Sequence, residues 1–161
     1  MDGKVTMIRL ALLAIPVALL LSATGDPQGF AIWTAADLRA HAAQLTQRLG
    51  ADKSASETLA DYGNHRAMLG HREGPGGAEL HEKMVDFFVV QEGEATLVVG
   101  GEIVDRKTTA PGEVRGTSIT GGERHRLAAG DIVHIPAGVP HQLLVEPGHT
   151  FTYFVVKVES R

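Results

Sequence analysis

Beyond Thr58 the chain is a succession of short apolar runs, each closed by a glycine or proline turn, and this most narrows what it can fold into. Residues 64–69 read as one strand and residues 73–77 as a loop. Residues 87–90 end at Glu92-Gly93, residues 95–99 close at Gly100-Gly101, and these two runs together predict a hairpin. Residues 102–105 begin another strand, followed by a polar stretch to Gly122 in which residues 116–122 predict an extra hairpin. Residues 132–135 enter the turn Pro136-Ala137-Gly138, residues 141–145 leave it, and residues 151–158 form a last strand after Pro147-Gly148. Strands spaced about ten residues apart with such turns build a sandwich or a barrel. The pattern alone does not choose between them.

Only one segment of the first sixty residues carries helical periodicity. Residues 30–50 predict a helix with Thr34 as N-cap, Asp37 completing a capping box, and Gly50 at the C′ position. Leu38, Ala42, Leu45 and Leu49 form its apolar stripe, and Phe30, Ile32 and Trp33 would staple it to the rest. His41 falls near its polar face and is expected in solvent. Residues 51–57 read as a connector.

Residues 1–25 read as a secretory leader. Lys4 and Arg9 precede an apolar run over residues 10–21, and Ala23-Thr24-Gly25 places small residues before a cleavage at Asp26. The run is shorter than the roughly 20 apolar residues a spanning helix needs. An uncleaved anchor and a start at Met7 are the alternatives. The expected organisation is a leader at 1–25, a helical segment at 26–57 and a barrel at 58–161, with the protein exported and no membrane span in its mature form.

The chain has 161 residues, 43% of them apolar, enough for one real core. A formal net charge of −4, mixed in sign, does not suit nucleic acid. The absence of cysteine excludes disulfides, zinc–thiolate sites and thiol chemistry. There is no nucleophile elbow, phosphate loop or dinucleotide fingerprint.

Two stretches carry a resemblance. Gly130-Asp131, Pro136-Ala137-Gly138 and His141 follow the spacing G-x5-P-x-G-x2-H. Upstream, Glu79, His81, Asp86 and Gly93 stand where a pattern G-x5-H-x-H-x3–4-E-x6-G places its two histidines, its acid and its last glycine. Together they resemble the two motifs of the cupin superfamily, over about residues 58–158. Three positions depart: Glu79 replaces a histidine, Asp86 a glutamate, and Val145 an asparagine. The resemblance implies an all-β, double-stranded β-helix (jelly-roll) barrel with one N-terminal helix, often dimeric. It implies a divalent metal (Fe, Mn, Ni or Zn) held by Glu79, His81, Asp86 and His141.

Strand alternation puts Glu79 and His81 on one face, and two imidazoles with carboxylates suit such ions. Without a metal, Glu79 would need an arginine such as Arg72 or Arg66. His65 and His71 share a face, and one of them is a candidate to line the cavity. His125 reads as part of a charged loop, His134 as a packing or surface residue and His149 as a turn residue. Tyr62 and Gln142 lie near the expected mouth. Phe88 and Val90 should fill the barrel. Phe87 and Val89, on the other face, call for a covering helix or a homodimer partner. Three functions stay open: metal-dependent chemistry on a small organic molecule, a non-catalytic barrel for a sugar or carboxylate, or a structural, partner-binding module.

Overall fold

A computed structural model describes residues 26–160. The leader expected at 1–25 and its cleavage site lie outside the described residues. The described residues fall into two units, 26–30 and 31–160. In the first unit the described residues form a turn closed by a 2.9 Å hydrogen bond from Phe30 N to Pro27 O.

Helix α1 spans Ala35–Thr46. The capping box forms as the sequence predicts: Thr34 Oγ1 accepts from Asp37 N at 3.2 Å, and the Asp37 carboxylate accepts from Thr34 N at 2.9 Å. The helix is shorter than expected, however, and Gly50 does not cap it. Gln47 is the C-cap. Gly50 instead donates to Ser54 O (2.9 Å) and accepts from Lys53 N (3.0 Å), so it belongs to the turn that starts the first strand. Leu45 is fully buried, and Trp33 packs on Phe154 with ring centroids 5.9 Å apart. His41 is not free in solvent. Its Nδ1 lies 2.7 Å from Glu57, whose other oxygen meets Arg48 at 3.0 Å.

Twelve strands follow: β1 (Ser54–Asp61), β2 (His65–Arg72), β3 (Ala78–His81), β4 (Met84–Val99), β5 (Glu102–Val104), β6 (Lys107–Ala110), β7 (Glu113–Gly116), β8 (Ser118–Thr120), β9 (Glu123–Ala128), β10 (Ile132–Ile135), β11 (His141–Leu144) and β12 (Phe151–Glu159). The segment read as a connector therefore contains the start of β1, and the charged run around His125 is strand β9. All pairings are antiparallel. The curled sheet runs β1-β2-β12-β4-β11-β3-β7-β6, with β10 and β9 also on β4. The fold is thus all-β with one helix, as expected. The extra hairpin expected within residues 116–122 takes another form: β8 pairs with the distant β5 as a separate two-stranded arm.

The hairpin expected at residues 87–99 is also absent. Those residues lie within one sixteen-residue strand, β4. Its first part pairs with β12 and β10, its second with β11 and β9. Gly93, with φ +80°, turns the strand from one layer into the other without reversing it. A side chain could not sit there, because a Cβ on Gly93 would lie 1.9 Å from Thr150 O. Between the layers Phe88, Val90, Leu97, Leu127, Ile135, Leu143, Val145, Phe151 and Val155 form the core. Phe88 and Val90 are where the alternation put them. Phe87 remains 42% exposed on the other face.

Gly93→Ala is expected to lose about 3 kcal/mol of stability, through strain plus overlap. Gly130→Ala, also at positive φ but with nothing within 4 Å of a Cβ, is expected to lose about 1 kcal/mol. Urea unfolding of both variants checks this, and equal losses would contradict the role given to Gly93.

Candidate metal centre

Three short stretches bring the site together. Glu79 and His81 come from β3, Asp86 from the start of β4, and His141 opens β11 directly opposite Glu79. The turn through Pro136 and Gly138 sets the last of these, and Gly138 N donates to His81 O at 2.7 Å, tying the turn to β3. Ligand atoms of Glu79, His81 and His141 all lie within 4.8 Å of one another. Asp86 stands beside them, 3.5 Å from His81 Nε2 and 3.7 Å from His141 Nε2.

Both imidazoles are held from behind. His141 Nδ1 lies 3.1 Å from Val139 O, and His81 Nδ1 lies 2.7 Å from a Glu113 oxygen. A carbonyl and a carboxylate only accept, so each Nδ1 donates, and each Nε2 faces the carboxylates. Carboxylates gathered around these two rings form a pocket suited to a cation. His81, Asp86 and His141 are 2%, 6% and 6% exposed, so water does little to relieve that crowding.

The sequence reading missed one cation in the site. Lys157, on β12, sits opposite Asp86 in the register. Its Nζ lies 2.6 and 2.7 Å from the two Asp86 oxygens and 2.8 Å from His81 Nε2. Alternation along β12 could have pointed to it: Phe151, Tyr153, Val155 and Lys157 share one face. Glu79 is held between Arg72 (3.3 Å) and Arg115 (3.5 Å). Arg72 is thus the arginine partner, not Arg66.

Burial works against ionising Glu79. The hydrogen bond to His81 and the charges of Arg115, His141 and Arg72 outweigh it and hold its carboxyl far below the usual range. Asp86 is likewise lowered: burial raises it, but His81 and Lys157 prevail. Burial lowers His141 despite the nearby carboxylates, so at neutral pH its ring is uncharged and able to bind an ion. Burial also opposes a charge on His81, yet hydrogen bonds to Asp86 and Glu79 lift it to about 9, with the Lys157 charge pulling the other way. The 2.8 Å separation admits one proton between Nζ and Nε2. Two protonated cations in contact would repel, so the two nitrogens share a single proton along that contact.

A cavity of about 180 Å³ opens beside the site. Met68, Phe88, Leu143 and Val155 form its apolar side, and Glu79, His141 and Lys157 line its polar side. This is below the roughly 300–1,000 Å³ of sites for drug-sized ligands, so only a small molecule fits. Tyr153 lies flat over Gly70, where a Cβ would be 2.7 Å from its ring.

The other expected residues stay outside the candidate ligand group, although His71 lines the cavity, as expected of one of His65 and His71. His71 borders the cavity, but its Nδ1 meets the Thr152 hydroxyl at 2.8 Å and its Nε2 faces Glu73 at 3.4 Å. His65 stacks on Tyr62, 4.8 Å between centroids. Gln142 is a buried tie, donating to Gly76 O (2.7 Å) and accepting from Ile119 N (3.2 Å). Val145 is core. His125 and His134 are exposed on their strands, and His149 meets Glu94 at 3.1 Å.

The family of AraC-like ligand-binding domains matches residues 115–161, less than a third of the chain. No curated protein matches the chain in sequence. Among solved structures, a conserved protein with a double-stranded β-helix domain from Klebsiella pneumoniae is 17% identical, with TM-score 0.51, covering 70% of this chain and 82% of that one. A structure described as a mannose-6-phosphate isomerase candidate, from Ralstonia eutropha JMP134, is 16% identical, with TM-score 0.50, covering 70% of this chain and 90% of that one. At these identities the likeness speaks for the fold.

Glu79 and Asp86 have folded pKa values below those of the unfolded chain. The stability they supply is therefore complete above the unfolded carboxylate value of about 4 and is lost as pH falls through the folded values. Metal-free protein is expected to lose thermal stability steadily below about pH 4, with a shallower loss in Glu79→Gln. Circular dichroism melts between pH 6 and pH 3 give the comparison, and identical slopes would contradict the ionised, arginine-held Glu79.

Proposed function

We propose that this cupin-superfamily barrel binds a divalent metal through Glu79, His81 and His141, with Asp86 in reach, and uses it in chemistry on a small organic molecule. The observation that supports this most is the pair of imidazoles held at Nδ1, with both Nε2 atoms beside carboxylates and the ligand atoms of Glu79, His81 and His141 converging. Two histidines and a carboxylate with open positions are a sufficient ligand set for Fe(II), and they also accept Mn(II), Ni(II) or Zn(II).

When bound, such an ion would supply Lewis-acid polarisation of a substrate oxygen or an activated oxygen ligand. The chain's own residues do the rest. Glu113 and the Val139 carbonyl orient the two rings, as second partners of metal-bound histidines do. Met68, Phe88, Leu143 and Val155 offer the small molecule an apolar wall. Lys157 and Asp86 stand at the polar side, where a proton can be held or passed.

Export is part of the proposal and rests on the leader-like residues 1–25. Among the described residues no helix is long and apolar enough to cross a membrane. The exposed Phe87 and Ile132 on the outer face support a homodimer.

A second reading, a small-ligand barrel without metal, is favoured by the cations already present. Lys157 neutralises Asp86, and Arg72 and Arg115 neutralise Glu79.

Elemental analysis of protein purified without chelator or affinity nickel separates the two. About one metal per chain is expected, lost in His141→Ala with the circular dichroism spectrum unchanged. No metal in either protein, even after incubation with Fe(II), Mn(II), Ni(II) and Zn(II), would overturn the metal reading and leave the ligand-binding barrel.

A further inference from the structure

We propose that Lys157 is the site's resident counter-cation and that a metal enters by displacing its ammonium from His81 and Asp86. This inference rests on the metal reading above and adds a residue that governs loading.

The argument starts from one lone pair. His81 Nδ1 is committed as a donor to Glu113, so Nε2 has a single in-plane lone pair to offer. Lys157 Nζ sits 2.8 Å from Nε2 and takes that lone pair. A metal would need the same lone pair at about 2.0–2.1 Å. Both cannot lie along it, because the ion and Nζ would then be well inside contact distance.

Asp86 repeats the conflict. Both its oxygens are taken up by Nζ, at 2.6 and 2.7 Å. Asp86 also stands outside the group whose ligand atoms converge, which is Glu79, His81 and His141. The cavity wall tells the same story: Glu79, Asp86, His141 and Lys157 line it, whereas His81 does not. His81, the ligand behind Lys157, is reached only when the ammonium leaves.

Displacement needs no movement of the sheet. Lys157 is held in β12 by pairing with Arg66 on one side and Asp86 on the other. Its four-carbon stem lets Nζ swing while the backbone stays. Exchanging one positive charge for two also suits the site, which sets the Glu79 and Asp86 carboxylates and two imidazoles around one space. The ammonium makes the barrel stable when empty. It also sets a threshold, because an ion must bind more strongly than the lysine it removes.

Two measurements test the exchange. Zn(II) affinity is measured by titration calorimetry on the native protein, Lys157→Met and His141→Ala. Lys157→Met is expected to bind at least about tenfold more tightly than native protein, since a competing like charge at contact range is removed. Independently, reductive methylation followed by mass spectrometry reads Lys157 in native protein with and without Zn(II). Labelling of Lys157 is expected to rise several-fold once the ion is bound. Equal or weaker affinity in Lys157→Met, or labelling that is unchanged or falls with Zn(II), overturns the exchange while leaving the metal reading in place. Zn(II) binding by none of the three proteins removes the metal reading itself, and the exchange with it.

Discussion

The whole arrangement hangs on β4 passing through both layers of the barrel. Before Gly93 it lies beside β12, and after Gly93 it lies beside β11. Asp86 and Lys157 therefore belong to one layer, while Glu79, His81 and His141 belong to the other, and the bend closes one layer over the other. Antiparallel sheets that curl back on themselves bury a continuous core between their inner faces. Here that core is Phe88, Val90, Leu97, Leu143, Phe151 and Val155, packed directly below the charged site. A residue with a side chain at position 93 would meet the Thr150 carbonyl. The bend thus depends on a glycine, and the site depends on the bend.

The site above that core is a problem in charge balance. Half-buried Glu79 and Glu113 and the buried Asp86 crowd around two buried histidines. Buried charges need partners, and the fold supplies them from several strands: Arg72 from β2, Arg115 from β7, Lys157 from β12. The result is a pocket balanced by its own side chains yet still shaped for an ion, because ligand atoms of Glu79, His81 and His141 converge there. Glu79, where the resemblance expects a histidine, fits this logic. A carboxylate between two arginines remains an oxygen donor, and the surrounding positive charge keeps it ionised.

Much of this was legible from the chain. The spacing of Pro136, Gly138 and His141 announced a tight turn delivering a histidine, and the structure has that turn hydrogen-bonded to β3. Alternation put Glu79 and His81 on one face and Phe88 and Val90 in the core. Capping chemistry located the start of α1 at Thr34. The misreadings share a cause. Gly93 and Gly50 are both turn-type residues, and local pattern cannot say whether a glycine reverses a strand, bends it, or closes a helix. That depends on which strands lie alongside. Lys157 was missed because a lysine near the end of a strand resembles any solvated lysine until its partner across the sheet is known.

The sequence by itself determined the class of fold and the tight turn through Pro136 and Gly138, since these follow from local periodicity and the conformational demands of glycine and proline, while its resemblance nominated Glu79, His81, Asp86 and His141. Only the tertiary structure decided what those ligands face. Register sets Lys157 opposite Asp86 and His141 opposite Glu79, and the curl of the sheet brings Arg72 and Arg115 onto one carboxylate. Charges far apart in the chain balance one another only across distances of a few ångströms, and the folding of one layer over the other alone creates those distances.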